Sequence, residues 1–511
     1  MNKIIRWIRK FLSSRIFMLV VIISLQLLIL IFGMNTIRSI EYVDTVLNII
    51  DFLLILHVVD RHTNTSYKLI WSIIIYAIPL IGGVIYLMFA ERKVPKSLRN
   101  EMTRSLQRSE GLLTQNKEYQ DNLQDRDLRQ QFDYVLNVGS YPYYQNSSAK
   151  YFSDGMSCFE DMLAKIRKAR YFIFLEYFIV KDGVMLRSLI KELLNKVDEG
   201  VKVYFMYDDG GSLTSLPDDF KQNLNERGIH CTEFSKVSAY LSLMSKTNNR
   251  NHRKICVIDN KYAYLGGFNI GDEYIDEKIR FGKWKDCGIR ISGKAVNSVT
   301  IMFIQFYNAM VSDTISYHDY LLDYPLLDKK GFFQPFSSSP STDDYVARTV
   351  HLNLINHAKD YIYISTPYLI LDHGFTTALV TASRNGVEVV INVPHIPDKK
   401  TVFMVTRSNY EVLVKNGIRV FEYTPGFMHS KNIIVDDKIA IVGSINMDYR
   451  SYYLNYECGV LIGEDKVIMD IKKDYLKCIA ESQEIGLNDI ENISFIVRIA
   501  RGFMKLLSPL F

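Results

Sequence analysis

The sequence predicts an α/β protein built from a duplicated domain, two halves related by a pseudo-twofold axis, preceded by N-terminal transmembrane helices. Three observations carry that reading. From about Tyr141 onward, short β-branched and aromatic runs alternate with helical stretches, the pattern of strand–helix–strand units and a mainly parallel sheet. That pattern then recurs in register. Finally, residues 1–94 hold long apolar runs poor in charge, while the remainder reads as an ordinary globular sequence.

Ile16 to Gly33 is an uncharged stretch of 18 residues and Leu69 to Ala90 one of 22. A helix needs about 20 apolar residues to cross the hydrocarbon core, so transmembrane helices are expected at about 16–33 and 69–90. The first is too long for a signal peptide, and Met34 to Arg38 offers no small-residue cleavage site. Val46 to Val59 has only 14 residues and contains Asp51 and His57, so it reads as interfacial or packed against the other helices. A third span would instead put the two ends of the chain on opposite sides. Lys3, Arg6, Arg9, Lys10 and Arg15 precede the first run, and Arg92, Lys93, Lys96, Arg99, Arg104 and Arg108 follow the second. Both flanks favour the cytoplasmic side, so the expectation is a multi-pass protein of the cell membrane with its catalytic domain inside.

A charged connector is expected over 95–140, a first half over 141–315 and a second over 345–485, joined through a Ser-, Pro-, Tyr- and Asp-rich stretch at Asp313 to Asp344. Three landmarks align the halves. Glu176 in Ala169–Phe178 matches Ser365 in Ala358–Pro367, Gly200 matches Gly386, and Gly228 matches Gly417, at offsets of 189, 186 and 189 residues. The segment from Gly228 to His252 is longer than its counterpart, and Val237 to Met244 within it is apolar enough to touch acyl chains or to pack on its own half. Residues 486–511 form a C-terminal amphipathic segment, placed either at a membrane interface beside anionic lipid or as a cap on the core. A net charge of +5 is small for 511 residues and does not suggest a nucleic-acid binder. Six scattered cysteines with no C-x-x-C pair read as reduced thiols, not as a zinc site or a disulfide framework.

Each half carries the same polar constellation, H-x-K-x4-D-x6-G-[GS]-x-N. The first copy is His252, Lys254, Asp259, Gly266, Gly267 and Asn269; the second is His429, Lys431, Asp436, Gly443, Ser444 and Asn446. On a strand, His and Lys two apart share a face, so both reach one phosphate. The Gly pair allows close backbone approach, and the Asn offers an amide to a phosphate oxygen. One such motif alone is most often a surface histidine beside a solvated lysine. A second copy at the equivalent place argues for a site. A diester's negative charge repels nucleophiles, and two Lys with two Asn neutralise it without a metal. One imidazole can then attack phosphorus while the other donates to the leaving alcohol and deprotonates the incoming one.

From about residue 140 to the end, the paired motifs resemble the phospholipase D superfamily. With its N-terminal helices, the whole chain is similar to bacterial cardiolipin synthases. The narrower match rests on Tyr67–Trp71 with Pro79, Gly82, Gly83 and Tyr86, on Gly267–Tyr274, and on Leu507–Phe511. The resemblance implies one active site formed by both motifs, with His252 as nucleophile and His429 as acid/base. Spacing alone does not decide between the two. It also implies that Asp286, 34 residues after His252, and Glu457, 28 after His429, orient the rings. Asp259 and Asp436 complete the catalytic motifs as anchors of the motif loops. Ser444, where the first copy has Gly267, supplies a hydroxyl from one half only. The implied reaction is reversible transfer of a phosphatidyl group between two phosphatidylglycerols, giving cardiolipin and glycerol through a phospho-histidine. It requires no cofactor, metal, nucleotide or nucleic acid, and its partners are anionic lipid and the membrane. A phospholipase D-type hydrolase releasing phosphatidic acid shares every one of these residues. A nuclease of the superfamily and an inactive membrane scaffold fit the N-terminal runs and the intact motifs less well.

Overall fold

The aromatic and β-branched runs at 172–177 and 361–365 become central strands of two sheets with the same topology. The computed structural model describes residues 42–61, 63–78, 81–90, 94–235, 248–327, 329–342 and 344–510. The first half supplies β1 (Ser147–Phe152), β2 (Phe172–Tyr177), β3 (Lys202–Asp208), β4 (His230–Phe234), β5 (Arg250–Asn251), β6 (Ile255–Ile258), β7 (Tyr262–Gly266), β8 (Lys283–Lys285) and β9 (Gly288–Gly293). The second supplies β10 (Phe332–Ser338), β11 (Tyr361–Ser365), β12 (Glu388–Pro394), β13 (Arg419–Tyr423), β14 (Gly426–Met428), β15 (Asn432–Val435), β16 (Ile439–Gly443), β17 (Asn455–Gly463) and β18 (Ser482–Glu484). The orders are β1-β9-β7-β6-β2-β3-β4 and β10-β17-β16-β15-β11-β12-β13-β18. Strand for strand the second repeats the first, with β18 added at its edge.

The sheets are mixed, which corrects the expectation of mainly parallel pairing. Along the main path of each sheet β2-β3-β4 and β11-β12-β13 run parallel, while β6, β7 and β9 and their counterparts pair antiparallel. The reason is a tight turn after β6 and β15. Asp259 and Asn260 have φ of 52° each, and Asp436 and Asp437 have 53° and 56°. Lys261 and Lys438 donate their amides back to Ile258 and Val435. Two successive positive φ values with that bond make a hairpin turn, which Asn and Asp tolerate.

Helices Gly155–Ile166 and Val184–Asp198 cover one face of the first sheet, closing a core that includes Leu163, Leu175, Leu189, Phe205 and Ile258. Helix Val296–Met310, buried on nearly every side, touches β4, β6 and β7 of the first sheet and β10 of the second. Residues expected to form a connector are integral to this unit. Helix Lys96–Arg108 packs on Val296–Met310, and Gln334 donates to the Phe132 carbonyl in helix Arg126–Gly139. Likewise β10 lies inside the stretch expected to join the halves.

The N-terminal helices form a separate unit. The 69–90 run is not one spanning helix: it falls into Thr65–Ala77 and Ile81–Phe89. The first stops ahead of Pro79, because a residue before proline is disfavoured in the α region. The two then pack closely at Gly82, where an added Cβ would lie 2.3 Å from the Ile74 carbonyl oxygen. Helix Val43–Asp60 packs beside them, with Asp51 next to Gly83. No helix of the described residues is long and apolar enough to cross a membrane. The 16–33 run and the Val237–Met244 segment lie outside the described residues.

Candidate active site

β6 runs antiparallel to β2, with Ile255 opposite Glu176, and β15 antiparallel to β11, with Asn432 opposite Ser365. Both motif histidines therefore emerge where the parallel strands end, the position at which open α/β sheets place their ligands. Two short cross-pairings then fix them. β5 pairs with the start of β17, and the His252 amide donates to the Tyr456 carbonyl at 2.9 Å. β14 pairs with β8, and the His429 amide donates to the Lys285 carbonyl at 2.6 Å. Each histidine is thus tied by its backbone to the opposite half.

That docking determines which carboxylate each ring meets. His252 Nδ1 lies 2.9 and 3.0 Å from the two Glu457 oxygens, and His429 Nδ1 lies 2.6 Å from Asp286 Oδ2. Counting along the sequence assigns each carboxylate to its own half; the structure pairs them crosswise. With Nδ1 donating to a carboxylate, the neutral ring keeps its lone pair on Nε2. Lys254 and Lys431 stand on the same ends and donate back to the carbonyls of His252 and His429, an identical contact in both copies.

Asp259 and Asp436 sit at the far ends of β6 and β15, roughly 13 Å or more from the lysines at about 3.3 Å per residue. Asp259 accepts from the amides of Arg170, Tyr171 and Phe172, and Asp436 from those of Lys359, Asp360 and Tyr361. They hold the sheet and the hairpin turn, at the end away from the two histidines. Asn269 is also occupied internally: its oxygen accepts from the Ile179 amide and its nitrogen donates to the Tyr274 hydroxyl. Asn446 has its amide beside Asp448, while its oxygen is buried with no protein partner among the described residues.

Ser444 donates to Glu457 and accepts from the Cys458 amide, so its hydroxyl steadies the carboxylate. Gly267 has a different reason. A Cβ there would lie 2.0 Å from Asp286 Oδ1, so the shorter carboxylate occupies the space a side chain would need. Replacing Gly267 with Ala should push Asp286 off His429 and cut turnover by about 10²-fold, since small misplacements cost that much. Unchanged turnover, measured with unchanged thermal midpoint, would contradict this.

Both rings are buried, and burial, Lys254 and Lys431 together push the His252 pKa well below its ordinary value. Lys399 and Arg450 add to that pull. Burial and Lys431 lower His429 to about 4, against the upward pull of Asp286. Both rings are therefore neutral at pH 7. The two carboxylates differ. Burial opposes ionisation of Asp286, but His429, Lys431 and the Cys287 amide outweigh it and its pKa falls. Burial wins at Glu457, raised to about 7 against Lys254 and Ser444. His429 thus faces a firm anion and His252 a softer one.

Sequence reasoning missed the aromatic wall. Trp284, Tyr274 and Phe427 ring His429, with centroids 5.2, 5.7 and 5.6 Å away, and Phe178 lies 5.0 Å from His252. Trp284, two residues before Asp286 on β8, was the available signal. A buried network under the first motif was missed as well: Glu176 accepts from Asn251 and Arg253, the residues flanking His252. Among the described residues no group of three His, Cys, Asp or Glu side chains is placed to hold a metal.

The family model described as "Cardiolipin synthase, PLD-like domain" matches residues 162–279 and 351–479, one copy on each half. A second, "Phospholipase_D-nuclease N-terminal", matches residues 49–90. A cardiolipin synthase of Alkalihalophilus pseudofirmus is 34% identical over 88% of this chain and 90% of its own length. The chain belongs to the cardiolipin synthase family. A cardiolipin synthase of Staphylococcus aureus, 31% identical, covers 91% of the chain and 95% of its own length. The cardiolipin synthase fold extends further. The crystal structure of a phosphatidylserine synthase from Haemophilus influenzae superposes with a TM-score of 0.55 at 15% identity, over 75% of this chain and 100% of that one. This family consists of phosphatidyltransferases of the phospholipase D superfamily, and the chain is an enzyme of that class.

Proposed function

We propose that this chain is a cardiolipin synthase, moving a phosphatidyl group from one phosphatidylglycerol to the free glycerol hydroxyl of another. The observation that carries the reading is the crosswise pair: two buried histidines, each held through Nδ1 by a carboxylate of the other half. His252 Nε2 attacks phosphorus, and the P–O bond to the leaving glycerol breaks as His429 protonates that oxygen. The diester's charge, added to that of Asp286, raises the proton affinity of His429, which takes up a proton from solvent at Nε2 as the diester binds and delivers it in this step. The incoming hydroxyl then gives its proton to His429 and attacks phosphorus, and the P–N bond to His252 breaks. Lys254 and Lys431 neutralise the diester, and the Trp284, Tyr274 and Phe427 wall favours a lipid acceptor over water. The enzyme works at the cell membrane, where its lipid substrates lie.

Labelled phosphatidylglycerol, incubated with the membrane-embedded enzyme and EDTA, should give cardiolipin and free glycerol. Phosphatidic acid as the main product would make the enzyme a hydrolase with the same catalytic residues. A pH dependence follows too. Burial lowers Lys254 to about 7 and Lys431 to about 8, so the site loses positive charge as pH climbs through those values. A bound diester restores the charge by proton uptake, so KM should rise steadily above pH 7, by up to about tenfold per unit for each lysine titrated. A KM that stays flat across that range would remove the lysines from phosphate binding.

A further inference from the structure

The C-terminal helix Phe495–Leu507 is turned inside out for a helix on a protein surface. Its N-cap is Ser494, and it packs on helix Lys400–Ser408. Phe495, Ile496, Ile499 and Phe503 nevertheless face away from the protein, between 56% and 78% exposed. A soluble surface helix buries such a stripe. On the flank of the apolar stripe, Arg498, Arg501 and Lys505 recur at intervals of three and four and line a cleft shared with Arg407 and the buried Glu422. Glu422 is already engaged by Arg407, Tyr410 and His395. Glu422 also attracts Arg501, and Glu411 attracts Arg498 and Lys505, but Glu422 is shared with Arg407 and Glu411 with Lys415, so the row is only partly neutralised.

Position gives the stripe a use. Ser365 of β11 lies level with Asn392 of β12, and Pro394 of β12 with Tyr423 of β13. Ser365 also lies opposite Asn432, the residue after Lys431. The end of the second sheet that carries the catalytic histidine is therefore the end on which helix Lys400–Ser408, and through it the C-terminal helix, is mounted. Ile396, in the loop after β12, is exposed at the same end, and so is Ile279 in the loop that leads into β8. The basic patch of Lys165, Arg167, Lys168, Arg170 and Lys261 lies at the opposite end, around Asp259.

We infer that the C-terminal helix is a membrane-docking element: its apolar stripe enters the interface of a bilayer, its basic row contacts the phosphates of anionic lipid, and docking turns the active-site mouth toward the lipid surface. An amphipathic helix with an aromatic and aliphatic face beside Arg and Lys inserts to a depth of roughly 5–10 Å. Charge complementarity selects anionic lipid as the occupant, since a second copy would set two like-charged rows against each other. The choice of lipid also rests on the function proposed above, but its test does not.

All six native cysteines are buried, so single cysteines placed in the full chain can be labelled selectively. Environment-sensitive fluorophores at Ile499→Cys and Phe503→Cys would be compared with one at Asn385→Cys, exposed at the opposite end of the sheet. The protein would be reconstituted in vesicles of phosphatidylglycerol and phosphatidylcholine carrying nitroxide-labelled acyl chains. Quenching at 499 and 503 should exceed that at 385 severalfold, and should weaken when phosphatidylglycerol is omitted. Equal quenching at all three positions overturns the inference. So does a label at 499 that is shielded from water yet unquenched by the lipid, which would mean a protein occupant. Phe495→Ser with Ile499→Ser and Phe503→Ser, all on exposed positions, should lose the quenching of a label at Leu506→Cys while keeping the thermal midpoint. Quenching needs no turnover, so docking without cardiolipin formation would sink the function and leave this inference standing.

Discussion

Given an activated phosphodiester whose leaving group needs no proton, the His429→Ala enzyme should accumulate phosphate on His252 and stop there. The His252→Ala enzyme should form no covalent species at all. Both variants should lose transfer between two phosphatidylglycerols, by about 10²–10⁴-fold or more, the range that general acid–base catalysis commands. The expectation rests on the different surroundings of the two rings. His252 is buried, and that burial, with the charges of Lys254 and Lys431 and smaller pulls from Arg450 and Lys399, keeps it neutral and available to attack. His429 faces an ionised Asp286, the arrangement that stabilises an imidazolium once a proton arrives. Acid-labile phosphate recovered on a His429 peptide, and none on a His252 peptide, would reverse the roles.

The second large effect concerns the carboxylates, and the crosswise pairing makes it specific. Asp286→Asn and Glu457→Gln keep the shape of the side chain but let the ring adopt the wrong tautomer, which costs about 10⁴-fold where the same logic has been tested in hydrolases. In the His429→Ala background, with the activated donor, the two should separate. Glu457→Gln should slow phosphorylation of His252, because Glu457 is that ring's partner, and Asp286→Asn should leave its rate unchanged. The opposite result would mean that each carboxylate serves its own half. A purely structural role would slow both equally and lower the thermal midpoint.

The sequence made the duplication legible because its landmarks are chemical: paired glycines at strand starts and a motif that repeats residue for residue. Strand direction was not legible. A strand buried on both faces is a continuous apolar run whether its neighbour is parallel or antiparallel. The hint lay in Asp259-Asn260 and Asp436-Asp437, turn formers between apolar runs, which the motif's catalytic associations obscured. The family resemblance pointed to Asp286 and Glu457, but neither it nor the spacing showed their partners. Partner choice depends on the pairing of β5 with β17 and of β14 with β8, three residues or fewer in each short strand, with no periodicity to detect. The 69–90 run misled for a related reason. Hydropathy counts apolar residues, whereas Pro79 and Gly82 decide whether they form one helix or two packed against each other.

The crosswise bond also constrains how the two copies can drift apart. A change at Asp286 is felt by a histidine encoded 143 residues away, and a change at Glu457 by one 205 residues away. Selection on either copy therefore acts through the other, and neither half, made alone, would hold its own imidazole in register. The Gly267 with Asp286 and Ser444 with Glu457 combinations are best seen as two inherited sets, each transmissible only as a unit. A recombinant that mixed Ser at 267 with Asp at 286 would be selected against at once, even though every residue in it occurs somewhere in this chain.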